Sequence, residues 1–106
     1  MIKHVVSVSF KDDVAEDEKR TIFKALAALF SEFDFLRKWT IQRNISSHDG
    51  TFEYVIALDF DTAEDLEKYF SSDKHLTFAK GVIRPRLNRR AVISFTDEAG
   101  YQEGQH

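Results

Sequence analysis

The sequence predicts an α+β fold whose elements follow the order β-α-β-β-α-β and whose four strands form an antiparallel sheet. Apolar residues alternate with a period of two at residues 2–10 and 51–60, which is typical of half-buried strands. A helical period follows the first strand and continues to Phe33. Two capping residues, Thr62 and Ser72, then mark the starts of a helical region that is broken in two.

The first half of the chain begins with a strand and a long amphipathic helix. The helix-facing side of the strand carries Ile2, His4, Val6, Val8 and Phe10. The helix that follows is predicted to end at about Phe33, since its apolar residues recur every three or four positions. Asp12 and Asp13 offer N-caps, and Asp13 with Glu16 resembles a capping box.

The second half contains a hairpin, the broken helical region and a last strand. Residues 36–44 and 51–60 are predicted strands joined by a polar loop that ends in a turn dipeptide. The helical region is interrupted at 71–73 and resumes until Pro85, which cannot continue a helix. Residues 90–96 then supply the fourth strand.

This order of elements is the split βαβ or ferredoxin-like pattern. Right-handed crossovers place the first and third strands at the centre of the sheet and both helical regions on one face. The opposite face presents small residues of moderate polarity, namely Val5, Ser7, Ser9, Val55 and Ala57. Such a face is suited to packing on a second sheet, so we expect a homodimer that forms through it. A solvated face is the alternative.

Composition excludes several classes of protein. With 106 residues and 42% apolar side chains, the chain is expected to form one domain over residues 1–97, followed by a flexible tail at 98–106. A net charge of −3 offers no basic surface for nucleic acids, and the absence of cysteine excludes disulfides and cysteine-ligated metals. Without an apolar run of ~20 residues or a charged leader, we expect a soluble cytoplasmic protein that does not bind membranes.

Three residues are candidates for chemistry. His4 lies on the apolar side of a central strand, where it is expected to be buried and to serve either as a hydrogen-bonded core residue or as a ligand contact. His75 follows the Ser72 cap, and the dipole at a helix N-terminus favours a neutral imidazole that can accept a proton. Tyr69 precedes the helix break, which can bring its hydroxyl and His75 to a common space. The alternative is that His75 is an exposed histidine and Tyr69 a tyrosine whose hydroxyl reaches solvent, with no shared function.

Other polar groups give weaker signals. A run of basic residues near the second helical region is interpreted as a solvated face, with an anionic ligand as the alternative; it comprises Lys80, Arg84, Arg86, Arg89 and Arg90. His48 and His106 are expected in solvent, and no carboxylates accompany the buried histidines, so no metal site is predicted. The chain contains no GxGxxG, P-loop, HExxH or GxSxG motif.

Several motifs spread along the chain together match one known family. They are Ile2-Lys3-His4-Val5-Val6, Phe10-Lys11-Asp12, Trp39, Arg43-Asn44, Tyr54 through Phe60, Tyr69, His75, Phe78 and Val82-Ile83-Arg84-Pro85. On these residues the chain resembles the stress-responsive dimeric α/β-barrel (Dabb) domain over residues 1–97. The resemblance implies a homodimer of ferredoxin-like protomers and a cavity between the sheet and the helices of each.

The resemblance also suggests roles for individual residues. The family includes olivetolic acid cyclase, in which a histidine is the general base and a tyrosine assists substrate binding. The matching residues here are His75 and Tyr69, and His4 matches the cyclase's strand-one histidine. Of the family's His-Pro-Ala-His, this chain keeps only the final histidine. Trp39 stands where a cavity aliphatic is usual and Arg86 where the cyclase has an aromatic, which argues against a long apolar tail on the substrate.

The resemblance and the candidate residues together imply a homodimeric Dabb-type protein that binds a small anionic or carbonyl-containing metabolite without a cofactor. Residues expected to contact the ligand are Phe23, Trp39, Ile56, Phe78 and Arg86. If the protein is an enzyme, it abstracts a proton beside a carbonyl, as a polyketide cyclase does, or resembles the cofactor-free monooxygenases. The rival from another class is a structural or binding protein whose histidines only satisfy the core.

Overall fold

The computed structural model of the protein describes residues 1–97, so the predicted tail at 98–106 lies outside the described residues. The sheet consists of β1 (Ile2–Phe10), β2 (Leu36–Arg43), β3 (Tyr54–Phe60) and β4 (Leu87–Thr96). The helices are α1 (Glu16–Phe30), α2 (Ala63–Ser71) and α3 (Asp73–Phe78). No helix in this part of the chain is long and apolar enough to cross a membrane.

The sheet has the strand order β2-β3-β1-β4, and all its neighbouring strands are antiparallel. The predicted ferredoxin-like topology is thus confirmed, with the first and third strands at the centre. In the register of the sheet, His4 of β1 lies between Leu58 of β3 and Ser94 of β4. Because paired residues share a face, these three side chains point to the same side of the sheet.

The core fills the layer between the sheet and the helices. Phe60 and Leu58 of β3, Phe30 of α1 and Val8 of β1 are its most completely buried large side chains among the described residues. Burial of a side chain of this size contributes about 1.5–3 kcal/mol. The alternation that predicted β1 and β3 therefore reflects a face that packs against the helices, except where a cavity remains.

The start of α1 differs from the prediction. The residue that precedes the helix is Ala15, which makes no side-chain cap, so neither Asp12 nor Asp13 caps the helix. Instead the chain makes a turn in which the Val14 amide donates to the carbonyl of Lys11, at 3.1 Å. Val14 packs into the core, and burying this side chain delays the helix beyond the two aspartates.

The second helical region is more varied than the predicted pair of helices. Thr62 and Ser72 cap α2 and α3 as expected, through the amides of Asp65 and His75. After α3 the chain widens into a π-helical turn over Ala79–Ile83, in which the Arg84 amide donates to the carbonyl of Ala79. Such turns are frequent at functional sites because they redirect the side chains around them.

The face of the sheet opposite the helices is more apolar than the sequence suggested. The predicted small residues of β1 and β3 are joined there by Ile93 and Phe95 of β4, which pair with Val5 and Lys3. Ile93 is 64% exposed and Phe95 is 48% exposed. Large apolar side chains that remain exposed in a contiguous group are typical of a surface that binds another protein.

Candidate active site

A cavity of about 250 Å³ opens between the sheet and the helical region, and the three candidate residues all line it. The full set of lining residues is His4, Val6, Leu26, Phe30, Ile56, Leu58, Tyr69, Phe70, His75, Phe78, Ala79, Ile83, Arg84, Arg90 and Val92. Most of these side chains are apolar, so polar groups that converge here act in a medium of low polarity.

His4 is held in the wall of the cavity by a partner across the sheet. Its Nδ1 atom lies 2.7 Å from the hydroxyl oxygen of Ser94, and its ring meets the edge of Phe70 at 4.9 Å between centroids. Only 3% of the residue is exposed. Burial, together with the nearby His75, lowers the pKa of His4 to about 4, so the imidazole is neutral at physiological pH.

Tyr69 and His75 meet across the break between α2 and α3. The centroids of their rings are 4.3 Å apart. Within residues 1–97 the Tyr69 hydroxyl has no hydrogen-bond partner, although the residue is only 5% exposed. Burial raises the pKa of Tyr69, so this group is a protonated donor that is free to bind a ligand.

His75 is oriented by the chain just before it. Its Nδ1 atom lies 3.3 Å from the carbonyl oxygen of Phe70. Since a carbonyl only accepts hydrogen bonds, the neutral ring carries its hydrogen on Nδ1 and leaves a lone pair on Nε2. Burial lowers the pKa of His75, the bond to Phe70 opposes this, and the positive charge of Arg84 lowers the pKa further. The ring is therefore set up to accept a proton.

The residues predicted to contact a ligand divide into two groups. Ile56 and Phe78 line the cavity. Phe23 lies elsewhere, with its ring 4.8 Å from that of Tyr54 in the second core cluster. Trp39, on the edge strand β2, packs against Phe30, is 39% exposed and is not among the residues that line the cavity. Its placement leaves the cavity open.

Arg86 also lies away from the cavity. Its Nη1 atom donates to the carbonyl of Val82 at 2.8 Å, and its Nε atom donates to Glu18. These bonds hold the guanidinium against α1. The arginines that line the cavity are instead Arg84 and Arg90, two members of the basic run for which a solvated face or an anionic ligand is predicted.

Of the β4 site residues Ser94, Arg90 and Val92, sequence reasoning missed the first and third and named Arg90 only as part of the basic run. They alternate along β4 and pair with His4, Val8 and Val6, respectively. The alternation was visible in the sequence, but three apolar residues of this strand, Ala91, Ile93 and Phe95, occupy the other face. In residues 1–97, no three histidine, aspartate or glutamate side chains are close enough to hold a metal ion.

Solved structures with the same fold include enzymes and dimers. The protein At3g17210 from Arabidopsis thaliana matches with a TM-score of 0.85 and 20% identity over 96% of this chain and 100% of that one. A hydroxynitrile lyase from Passiflora edulis matches at 0.82 and 18%, over 93% and 95%. A dimeric ferredoxin-like protein from Thermobifida fusca matches at 0.78 and 20%, over 89% and 88%.

Sequence comparison gives the family. The protein SCO4036 from Streptomyces coelicolor is 31% identical over 77 residues, which are 71% of this chain and 79% of that protein. The family model for the stress responsive A/B barrel domain matches residues 2–97. The resemblance drawn from scattered motifs is thereby confirmed: the chain belongs to the Dabb family of stress-responsive A/B barrel domains.

Proposed function

We propose that the protein binds a small carbonyl compound in this cavity and that His75 removes a proton from the carbon beside the carbonyl. The observation that carries the proposal is the pairing of two complementary groups at one point of an apolar cavity. His75 presents an unprotonated Nε2 atom, and Tyr69 presents a hydroxyl without a partner in residues 1–97. Proton abstraction beside a carbonyl needs such a base and such a donor.

The reaction balances without a further reactant. The C–H bond breaks, its proton moves to Nε2 of His75, and the electron pair moves onto the carbonyl oxygen. Tyr69 donates a hydrogen bond to that oxygen as its charge grows, an interaction that is stronger in the apolar cavity than in water. The imidazolium then returns the proton to the product. His4 remains neutral and, held by Ser94, forms a polar wall beside the reacting groups.

Neighbouring proteins support this proposal at the level of the fold. One of the solved structures is a hydroxynitrile lyase, so the fold can house enzymatic chemistry. The likeness is 18% in sequence and concerns the fold alone. The proposal for this chain therefore rests on the geometry of Tyr69 and His75.

Hydrogen–deuterium exchange beside a ketone tests the proposed reaction. We expect the protein to speed exchange at the α-carbon of β-benzoylpropionamide, a small neutral ketone, and the His75→Ala variant to lose about 10²–10⁴-fold of that rate. Lys74→Ala is the matched control, because its ion pair with Glu32 is exposed and it adjoins His75 in the same helix. Both variants are expected to melt within a few degrees of the wild type.

Three outcomes would contradict the proposed reaction. An exchange rate that is unchanged in His75→Ala would show that His75 is not the base. A loss of several kcal/mol in that variant's free energy of unfolding would favour a structural role for this histidine. Consumption of oxygen with the same ketone would favour the monooxygenase alternative.

We further propose that the protein is a homodimer that forms through the open face of the sheet. The exposed side chains of Ile93 and Phe95 support this, as does the dimeric Thermobifida fusca neighbour. Light scattering is expected to give twice the chain mass of 12.3 kDa. Ile93→Glu should yield the monomer, since it places a charge on the apolar open face of the sheet, whereas Ile45→Glu, in an exposed loop, should remain dimeric.

A further inference from the structure

The cavity is open on the side where two arginines line it. Arg84, Arg90 and Val92 are the exposed residues among those around the cavity, whereas the others are buried or half-buried. Arg84 follows the π-helical turn, and Arg90 lies on β4 opposite Val8. The helical region and the strand that directly follows it thus place one arginine each at the mouth.

Neither of these arginines is neutralised within the described part of the chain. Four other arginines form ion pairs, namely Arg20, Arg37, Arg43 and Arg86. The side chains of Arg84 and Arg90 form no hydrogen bond or ion pair in residues 1–97. The protein carries more acidic than basic residues, yet no carboxylate of this region reaches its cavity mouth. The mouth therefore attracts anions in a protein whose net charge repels them.

We propose that Arg84 and Arg90 form an anion subsite, so that the metabolite is a small organic oxyanion whose carbonyl-bearing body reaches His75 and Tyr69. This inference rests on the function proposed above and adds the charge of the substrate to it. A guanidinium binds a carboxylate or a phosphate through paired N–H donors, and both groups share this chemistry. A cavity of about 250 Å³ is smaller than the pockets that hold drug-sized molecules, so the ligand is smaller than a drug-sized molecule.

The charge at the mouth also acts on the proposed base. Arg84 lowers the pKa of His75, as described above. An oxyanion bound at Arg84 offsets this positive charge, so the pKa of His75 rises when the ligand binds. The same contact that selects an anion thus strengthens the base once the substrate is in place.

Matched ligands test the subsite. β-Benzoylpropionate, its neutral amide and the corresponding phosphonate share one ketone body, and calorimetry at constant pH gives the affinity of each. We expect one of the two anions to bind at least about tenfold more tightly than the amide. Arg84→Gln and Arg90→Gln should each remove about tenfold of the anion's affinity and leave that of the amide unchanged. The stronger anion identifies carboxylate or phosphate as the recognised group.

Arg37→Gln is the control. It removes the same charge from β2, at the opposite edge of the sheet from β4, and should change neither affinity. Equal binding of the amide and both anions, or equal weakening of all three ligands in the arginine variants, would overturn the anion subsite. The exchange of the neutral amide and its dependence on His75 are measured independently, so the proposed reaction stands or fails on its own.

Discussion

The rings of Tyr69 and His75 lie 4.3 Å apart, centroid to centroid, although the two residues belong to different helices. The contact depends on Ser72, whose extended backbone ends α2 and whose hydroxyl accepts a hydrogen bond from the His75 amide. A continuous helix would place residues six positions apart on different faces. The break in the helical region is therefore what assembles the base and the donor.

Removing the Tyr69 hydroxyl should separate catalysis from stability. Tyr69→Phe keeps the ring, which packs on Phe30, Phe33 and Phe60, and it deletes a hydroxyl that has no partner in residues 1–97. We expect ketone exchange to fall by about 10²–10³-fold, the usual effect of losing one donor to a developing oxyanion. The melting temperature should stay the same or rise. A large loss of stability would show that the hydroxyl has a structural partner.

The stability of the protein should depend on pH through His4. Folding lowers the pKa of this residue from 6.5 to about 4. Between these values the unfolded chain binds a proton that the folded protein does not, so stability falls as the pH decreases through this window. The full shift corresponds to about 3 kcal/mol. Above about pH 6.5 His4 is neutral in both the folded and the unfolded state, so this loss of stability is absent there and develops only as the pH falls below that value.

Urea unfolding of His4→Gln at several pH values measures this contribution. The variant should lose less stability than the wild type between about pH 6.5 and about pH 4, whatever its stability at neutral pH. His48→Gln, in the exposed loop, is the control and should follow the wild-type slope. Equal slopes for His4→Gln and the wild type would show that His4 is not held neutral by burial.

Local signals in the sequence predicted much of this structure. The alternation of residues 2–10 predicted both ends of β1 correctly, and the residue types of Thr62 and Ser72 predicted the two helix caps. Both features depend on neighbours along the chain. Ser94 could not be placed opposite His4 in this way. Their contact joins residues ninety positions apart and follows from the register between β1 and β4, which the sequence of neither strand contains.

The same limit applies to the ligand-binding residues. Phe23 and Phe78 both lie on apolar helix stripes, so their spacing suggested one shared cavity. Only Phe78 lines it, since the ring of Phe23 packs against those of Phe10 and Tyr54 instead. For the arginines, composition indicated a basic run, but the direction of each side chain depends on the π-helical turn and on β4.

The bond between Ser94 and His4 should be measurable as a coupling energy. Ser94→Ala leaves the buried Nδ1 atom of His4 without its partner, which costs about 1–3 kcal/mol. In a His4→Phe background the same change removes no hydrogen bond and should cost much less. A double-mutant cycle by urea unfolding then gives the interaction directly. Additive effects would mean that water or another group replaces the serine.

Glu53 should contribute more to the free energy of unfolding than the exposed acidic residues of this protein. One of its carboxylate oxygens accepts from Lys19 at 3.0 Å and the other from the Phe10 amide at 2.8 Å, and Lys19 is only 8% exposed. Glu53→Gln keeps an acceptor for Phe10 but weakens the pairing of a buried ammonium, so we expect a loss of about 1–3 kcal/mol in urea unfolding. Asp61→Asn, which breaks the exposed pair with Arg37, should cost less than about 1 kcal/mol. Similar losses in the two variants would show that Lys19 is fully satisfied by Glu16, its other acidic partner.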